Sequence, residues 1–185
     1  MKNDLLKTNN LTSINKEVKF TYSLYMKAIK AISQDILKKN YLNNDNIGII
    51  GIARGALPML VSVSHFINHR EVAVIQIQMS NSDNCYDYGE VRYLNDSISD
   101  NVDKYIVLED IIYKGKSTNA VIDILKSRGK EVACVYALVV DEDFLKIKIP
   151  NDDVCINYCY KINRDNWVYF MWEEDLEEKK EEKND

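Results

Sequence analysis

The sequence predicts an α/β fold, a mostly parallel, twisted sheet flanked by helices. Three observations predict it. Apolar β-branched runs at residues 47–52 (IGIIGI) and 105–108 read as strands buried on both faces. Each runs into a glycine-bearing loop and then a segment whose apolar residues recur at helical spacing. Strand and helix signals keep alternating along the chain, which calls for right-handed crossovers between parallel strands. Ligands in such sheets sit outside the carboxyl ends of the strands, so the loops after these two runs are where chemistry is expected.

Residues 1–18 lack sustained periodicity and read as an extension or loosely held arm. A domain spans 19–176, and a charged tail, expected to be frayed and solvated, runs over 177–185. Thr21 is a helix N-cap, followed by an apolar stripe of Leu24, Tyr25, Ala28, Ile29, Ile32, Ile36 and Leu37 that is there for packing. An asparagine-rich turn at 43–46 ends that helix. The strand 47–52 leads through Arg54 and Gly55 into a helix over 57–68. Gly55 permits close backbone approach, and the forked Arg54 guanidinium suits phosphate oxygens.

His65 and His69, four apart on that helix, have a spacing that zinc can use, but no third ligand is near; a solvated or partner-facing pair is the reading. Residues 72–78 form a third strand, and 79–103 read as a long polar loop without a helical stripe. Further strands are expected over 131–140 and 153–160.

The chain's organising stretch is KYIVLEDIIYKGKSTNAVIDIL, residues 104–125. A buried strand ends in the acid pair Glu109 and Asp110, and a short loop through Tyr113, Lys114 and Gly115 opens a helix. The first turn of that helix holds Lys116, Ser117 and Thr118. Gly115 allows a tight turn that aims several N–H groups at one spot, and a helix start adds partial positive charge, which together suit a phosphate. The two acids suit sugar hydroxyls or a divalent metal with hard oxygen ligands. An anion cradle beside two acids wants a phosphorylated sugar.

Composition bounds the partners. The 185 residues, with only two prolines, suit one domain with a real core. The net charge of −5 is held in the last thirteen residues, with eight acids and three lysines, so the remainder balances. No basic excess points to nucleic acid. No apolar run reaches the roughly 20 residues that span a bilayer, and the polar start MKNDLLKTNN lacks the form of a signal peptide. The expectation is a cytoplasmic protein with no membrane partner. Cys85, Cys134, Cys155 and Cys159 make no metal signature and read as reduced thiols, with Cys134 and Cys155 in strand-like runs.

The stretch VLEDIIYKGKST closely resembles the phosphoribosyl pyrophosphate (PRPP) motif of type I phosphoribosyltransferases, the hypoxanthine-guanine and xanthine-guanine branch in particular. The loop ARGALPML resembles that family's pyrophosphate loop, and WVYFMWEED at 167–175 resembles its base-binding end. The resemblance implies a type I phosphoribosyltransferase-like core with a small C-terminal hood. It implies Mg²⁺-dependent transfer of the 5-phosphoribosyl group from PRPP to a purine-type base in nucleotide salvage, with pyrophosphate released, by a homodimer.

By the same resemblance PRPP is held by Ala53, Arg54, Gly55, Glu109, Asp110, Lys114, Gly115, Lys116, Ser117 and Thr118, and the metal by Glu109, Asp110 and Glu173. Leu138, Trp167 and Val168 fall at the base, with Glu109, Asp110 and Tyr113 at the catalytic positions. The polar loop 79–103 matches the family's mobile lid, which shields an oxocarbenium-like transition state from water; Tyr86, Tyr88, Arg92 and Tyr93 are its candidates.

Two positions depart from the pattern. Tyr113 stands where the family has an aspartate that manages a purine proton, and a phenol of pKa about 10 is a poor base near neutrality. A positioned acid–base group contributes about 10²–10⁴-fold, so its replacement matters. Leu138 falls where a lysine donates to the 6-oxo group, and leucine cannot donate. Two alternatives therefore stand beside purine transfer: a PRPP-binding regulatory protein without catalysis, and a phosphoribosyltransferase for a non-purine acceptor.

Overall fold

The computed structural model describes residues 2–6, 10–11, 16–43, 46–79, 90–146, 154–163 and 165–173. The expected tail, the lid candidates Tyr86 and Tyr88, and Cys85 lie outside these.

Thr21 caps the first helix, α1 (Tyr22–Lys38), its hydroxyl accepting from the Leu24 N–H at 3.4 Å. The apolar stripe of α1 buries Tyr25, Ala28, Ile29, Ile32 and Ile36. The two β-branched runs become β3 (Ile47–Ala53) and β6 (Lys104–Ile112), buried almost throughout because a neighbouring strand and a helical layer cover every side. Helix α2 (Leu57–Phe66) follows β3 and starts with a proline in its first turn. β4 (Val72–Met79), α3 (Lys116–Ser127) and β7 (Glu131–Asp141) then follow as expected, and β8 occupies Ile156–Ile162.

Several of the described elements went unpredicted. The region read as a structureless loop contains β5 (Val91–Asp96), which pairs antiparallel with β4. Its sequence VRYLND is mostly exposed, so it shows none of the alternation that marks a half-buried strand. Helix α4 (Glu142–Lys146) has five residues, too few for a periodic signal. In the first eighteen residues, β1 (Lys2–Asp4) joins β8 in parallel. The strand β2 (Glu17–Phe20) crosses the expected start of the domain and pairs in parallel with β9 (Trp167–Phe170).

The main sheet has seven strands in the order β1-β8-β7-β6-β3-β4-β5, and β2-β9 forms a separate two-stranded sheet. All pairs in the main sheet are parallel except β4 with β5. The chain places β4 on one side of β3 and β6 on the other, so the winding direction reverses between β3 and β6. That is where a parallel sheet leaves a crevice at its carboxyl edge.

Two cores lie on opposite faces. One joins α1 and α2 to Ile47, Ile49, Ile106, Leu108, Tyr136 and Leu138, and takes in Val18, Phe20, Val168 and Phe170 of the small sheet. The other packs Val121, Ile122 and Leu125 of α3 against Ile50, Ile75, Tyr105, Val107 and Val135. The change of face between Ile106 and Val107, and between Val135 and Tyr136, is the two-residue alternation of strands.

Candidate active site at the carboxyl edge of the sheet

β3 and β6 are neighbours in register, with Gly51 opposite Leu108, so their carboxyl ends open side by side. The loop after β3 therefore meets the acid pair that ends β6. A cavity of about 210 Å³ sits there, lined by Ala53, Arg54 and Gly55 from the first loop and by Glu109, Asp110, Tyr113, Lys114, Gly115, Lys116 and Ser117 from the second. Ile52, Ile77 and Ile111 complete its wall. Two loops far apart in sequence thus form one concave surface.

Gly55 is required by the approach of Asp110. A Cβ on Gly55 would lie 1.8 Å from Asp110 Oδ2, inside any permitted contact. The Ala53–Arg54 peptide bond is cis. Arg54 is exposed at the rim, where a guanidinium remains hydrated until an anion arrives. Gly115 is the N-cap of α3 at φ +70°, a left-handed conformation that glycine adopts without a Cβ clash. The Phe144 ring of α4 closes over it, 2.5 Å from where a Cβ would be. The loop is therefore held from behind while the start of α3 faces the cavity.

The acids are not equivalent. Glu109 is buried and accepts hydrogen bonds from Ser117 Oγ at 2.7 Å and from Thr118 Oγ1. Burial pushes its carboxyl up to about 7, against the pull of those hydroxyls and with help from the Asp110 charge. Glu109 thus ties β6 to the first turn of α3, and Thr118 turns inward to it instead of lining the cavity. Asp110 keeps its open face toward the cavity, its Oδ1 accepting from the Ile111 N–H at 2.9 Å. Burial raises it to about 6, backbone N–H groups work against the rise, and the Glu173 charge adds to it.

A second, larger hollow of about 1070 Å³ continues from the first past Arg54, Gly55 and Asp110. Leu57, Pro58, Gln76, Ile77, Gln78, Leu94, Trp172 and Glu173 line the rest. Glu173 is held by its Oε2, which accepts from the Phe170 N–H at 3.1 Å. Trp172 stacks on Phe170 with centroids 4.7 Å apart and meets Tyr25 edge-on.

Asp110 and Glu173 therefore face one space with like charge, the setting in which a divalent cation is welcome. Among the described residues no three acids, histidines or cysteines form a complete metal cage. The donor set fits a cation that arrives with substrate phosphates and takes one or two carboxylates, as magnesium does. Both Glu109 oxygens already serve the α3 hydroxyls, which leaves Asp110 and Glu173 as the open donors.

The base-side residues named from the sequence do not share this space. Leu138 is fully enclosed in the first core. Val168 is buried opposite Val18, and Trp167 lies edge-on to Tyr169 with centroids 6.4 Å apart. None of the three is among the described lining residues. Tyr113 does line the first cavity, but its phenol donates to the Asn166 carbonyl at 3.1 Å and so ties the loop to the segment before β9.

Sequence reasoning overlooked Trp172, Gln76 and Gln78. The glutamines carried a signal, since two polar residues two apart in an apolar strand share a face. Trp172 lay inside the stretch that resembles the base-binding end, where Trp167 was named instead because an aromatic beside Phe170 also reads as core. Of the lid candidates, Tyr93 donates to Asp96 Oδ2 at 2.7 Å, and Arg92 is exposed on β5.

A family model for the phosphoribosyl transferase domain matches residues 21–179. The chain is similar to the bifunctional protein PyrR of Acetivibrio thermocellus, 29% identical over 140 residues, which is 71% of this chain and 75% of that protein. Among solved structures, a xanthine-guanine-hypoxanthine phosphoribosyltransferase of Helicobacter pylori superposes with a TM-score of 0.64 at 18% identity, covering 89% of this chain and 99% of that one. A purine phosphoribosyltransferase of Pyrococcus horikoshii gives 0.63 at 20% identity, covering 85% and 93%. At these identities the two structures establish a common fold.

Proposed function

The chain belongs to the phosphoribosyl transferase domain family, and from that premise we propose that it transfers the 5-phosphoribosyl group of PRPP to a purine-type base and releases pyrophosphate. The observation that carries this reading is the meeting of the Arg54–Gly55 loop and the Asp110–Gly115 loop in one cavity at the point where the sheet's winding reverses.

The start of α3, with Lys114, Gly115, Lys116 and Ser117, holds the 5′-phosphate through N–H donors and positive charge. Asp110 orients the ribose hydroxyls. Arg54 and the amides beside it steady the pyrophosphate as the bond from the anomeric carbon to its oxygen breaks and a ring nitrogen of the base forms the new bond. Asp110 and Glu173 would hold a magnesium ion, which would supply positive charge to offset that of the departing group. Holding both reactants in line supplies much of the rate. In this reading the base lies in the larger hollow against Trp172, with Gln76 and Gln78 able to donate to or accept from its edge.

Two observations favour a second reading, a PRPP-binding regulatory protein without turnover. Tyr113 is occupied as a structural tie, and Leu138 offers neither a donor nor access to the cavity. The similar protein described as bifunctional fits a chain of this family with more than one task. A panel of purine and non-purine bases, each with PRPP and magnesium, separates the readings through pyrophosphate release. Release with a purine supports transfer to that class. Release only with another base assigns a different acceptor, and PRPP binding without release from any base gives the regulatory reading.

A further inference from the structure

At the amino-terminal edge of the sheet, opposite the candidate active site, two cysteines lie side by side. Val135 is in register with Ile156, which sets Cys134 of β7 beside Cys155, the residue just before β8, and the Val135 N–H donates to the Cys155 carbonyl at 2.8 Å. Both side chains face the first core, so they project from the same side of the sheet. Neighbouring strands lie about 4.8 Å apart, within the roughly 4.4–6.8 Å between Cα atoms that a disulfide bridges.

Asn157 links the pair: its amide donates to Cys134 Sγ at 2.8 Å, and its Oδ1 accepts from the Cys155 thiol at 3.7 Å. Cys134 is fully buried and Cys155 half-buried, so reagents reach Cys155 first. Above them sits the Lys39 ammonium, which donates to the same Asn157 Oδ1 at 3.5 Å and pairs with Asp35 at 2.8 Å. Tyr41 and Tyr136 flank that ammonium, and Tyr136 donates to Asp35 at 2.7 Å.

We propose that Cys155 is a hydroperoxide-sensitive thiol and Cys134 its resolving partner, a redox modification site separate from the transfer chemistry. The Cys155 sulfur attacks the outer oxygen of a hydroperoxide; the O–O bond breaks, leaving a sulfenic acid and an alcohol or water. The Cys134 thiol then attacks the Cys155 sulfur, expelling the hydroxyl as water and forming the disulfide. Two thiols lose two electrons and two protons, and the hydroperoxide takes them up. The charge pattern supports this order: the hydrogen bond from Cys134, and then the Lys39 charge, bring the Cys155 thiol down to about 6 against its partial burial. The same hydrogen bond, together with burial, holds Cys134 protonated.

The test treats the full chain carrying Cys85→Ser, which removes a further thiol, with hydrogen peroxide under native conditions. Peptide mapping without reductant is expected to give a Cys134–Cys155 cross-link that dithiothreitol reverses. In the added Cys134→Ser variant, Cys155 is expected to stop at the sulfenic acid and be captured by dimedone. At pH 7, Lys39→Met is expected to slow iodoacetamide alkylation of Cys155, because the thiol loses part of the positive charge that favours its ionised form. Three results would overturn the proposal: native Cys155 untouched at a dose that oxidises the denaturant-unfolded chain, sulfenic acid at Cys155 without the link to Cys134, or an alkylation rate indifferent to Lys39.

Discussion

Asp110 is the residue at which the proposed binding role and stability oppose each other. Its carboxyl is raised to about 6, first by burial and then by Glu173, so the folded protein holds that proton more tightly than the unfolded chain does. A folded value above the unfolded one contributes stability at low pH that is lost as pH rises through about 6. At pH 7 the ionised group is therefore a cost to the ligand-free protein. Asp110→Asn keeps the acceptor for the Ile111 N–H and removes that cost, so its Tm by calorimetry at pH 7 is expected to exceed that of the parent. Leu138 tests the opposite balance. It is fully buried among apolar neighbours, so Leu138→Ala is expected to lose roughly 2–5 kcal/mol in urea unfolding while its PRPP affinity stays unchanged. The acid pair and both glycines were legible in the sequence because each has a local reason to be there. Leu138 was not, since alignment gives a position along a strand but not the neighbours that enclose it.

In the proposed function helix α3 carries the phosphate end of the site, and it is fastened at both ends. At its start Ser117 and Thr118 bond to Glu109, and Phe144 closes over Gly115. Beyond its end Arg128 reaches Asp96 of β5, with its Nη2 at 2.6 Å from Oδ2, and lies over the Tyr93 ring. Burial acts to raise the Asp96 carboxyl, but Arg128, the Tyr93 hydroxyl and the Ile98 N–H outweigh it and hold the group below its ordinary value. A depressed carboxylate contributes stability above its unfolded pKa, near 4, and loses it as pH falls through its lower folded value. Asp96→Asn is accordingly expected to lower Tm at pH 7, with the gap to the parent closing in acid; a gap independent of pH would contradict the ion pair. The helix was legible from its apolar spacing after a glycine. Strand β5, which receives its far end, was hidden because an exposed edge strand has no buried face to impose alternation.

At the scale of the molecule, function follows from strand order. Two buried strands, separated by about fifty residues of sequence, become neighbours at the reversal point and bring an arginine loop against an acid pair. The parallel core was readable because strands covered on both faces must be apolar along their length, and both runs said so. The small second sheet was not, because β2 and β9 are four residues each and pair across most of the chain, a partnership that no local window contains. The central claim is that a sugar phosphate binds where β6 gives way to α3. Titration calorimetry of PRPP with magnesium against the full chain, Asp110→Asn and His65→Ala tests it most directly. The account predicts saturable heat for the parent, the same affinity for His65→Ala, whose side chain is exposed on α2, and severe loss for Asp110→Asn. No heat from the parent, or equal losses in the two variants, would contradict it.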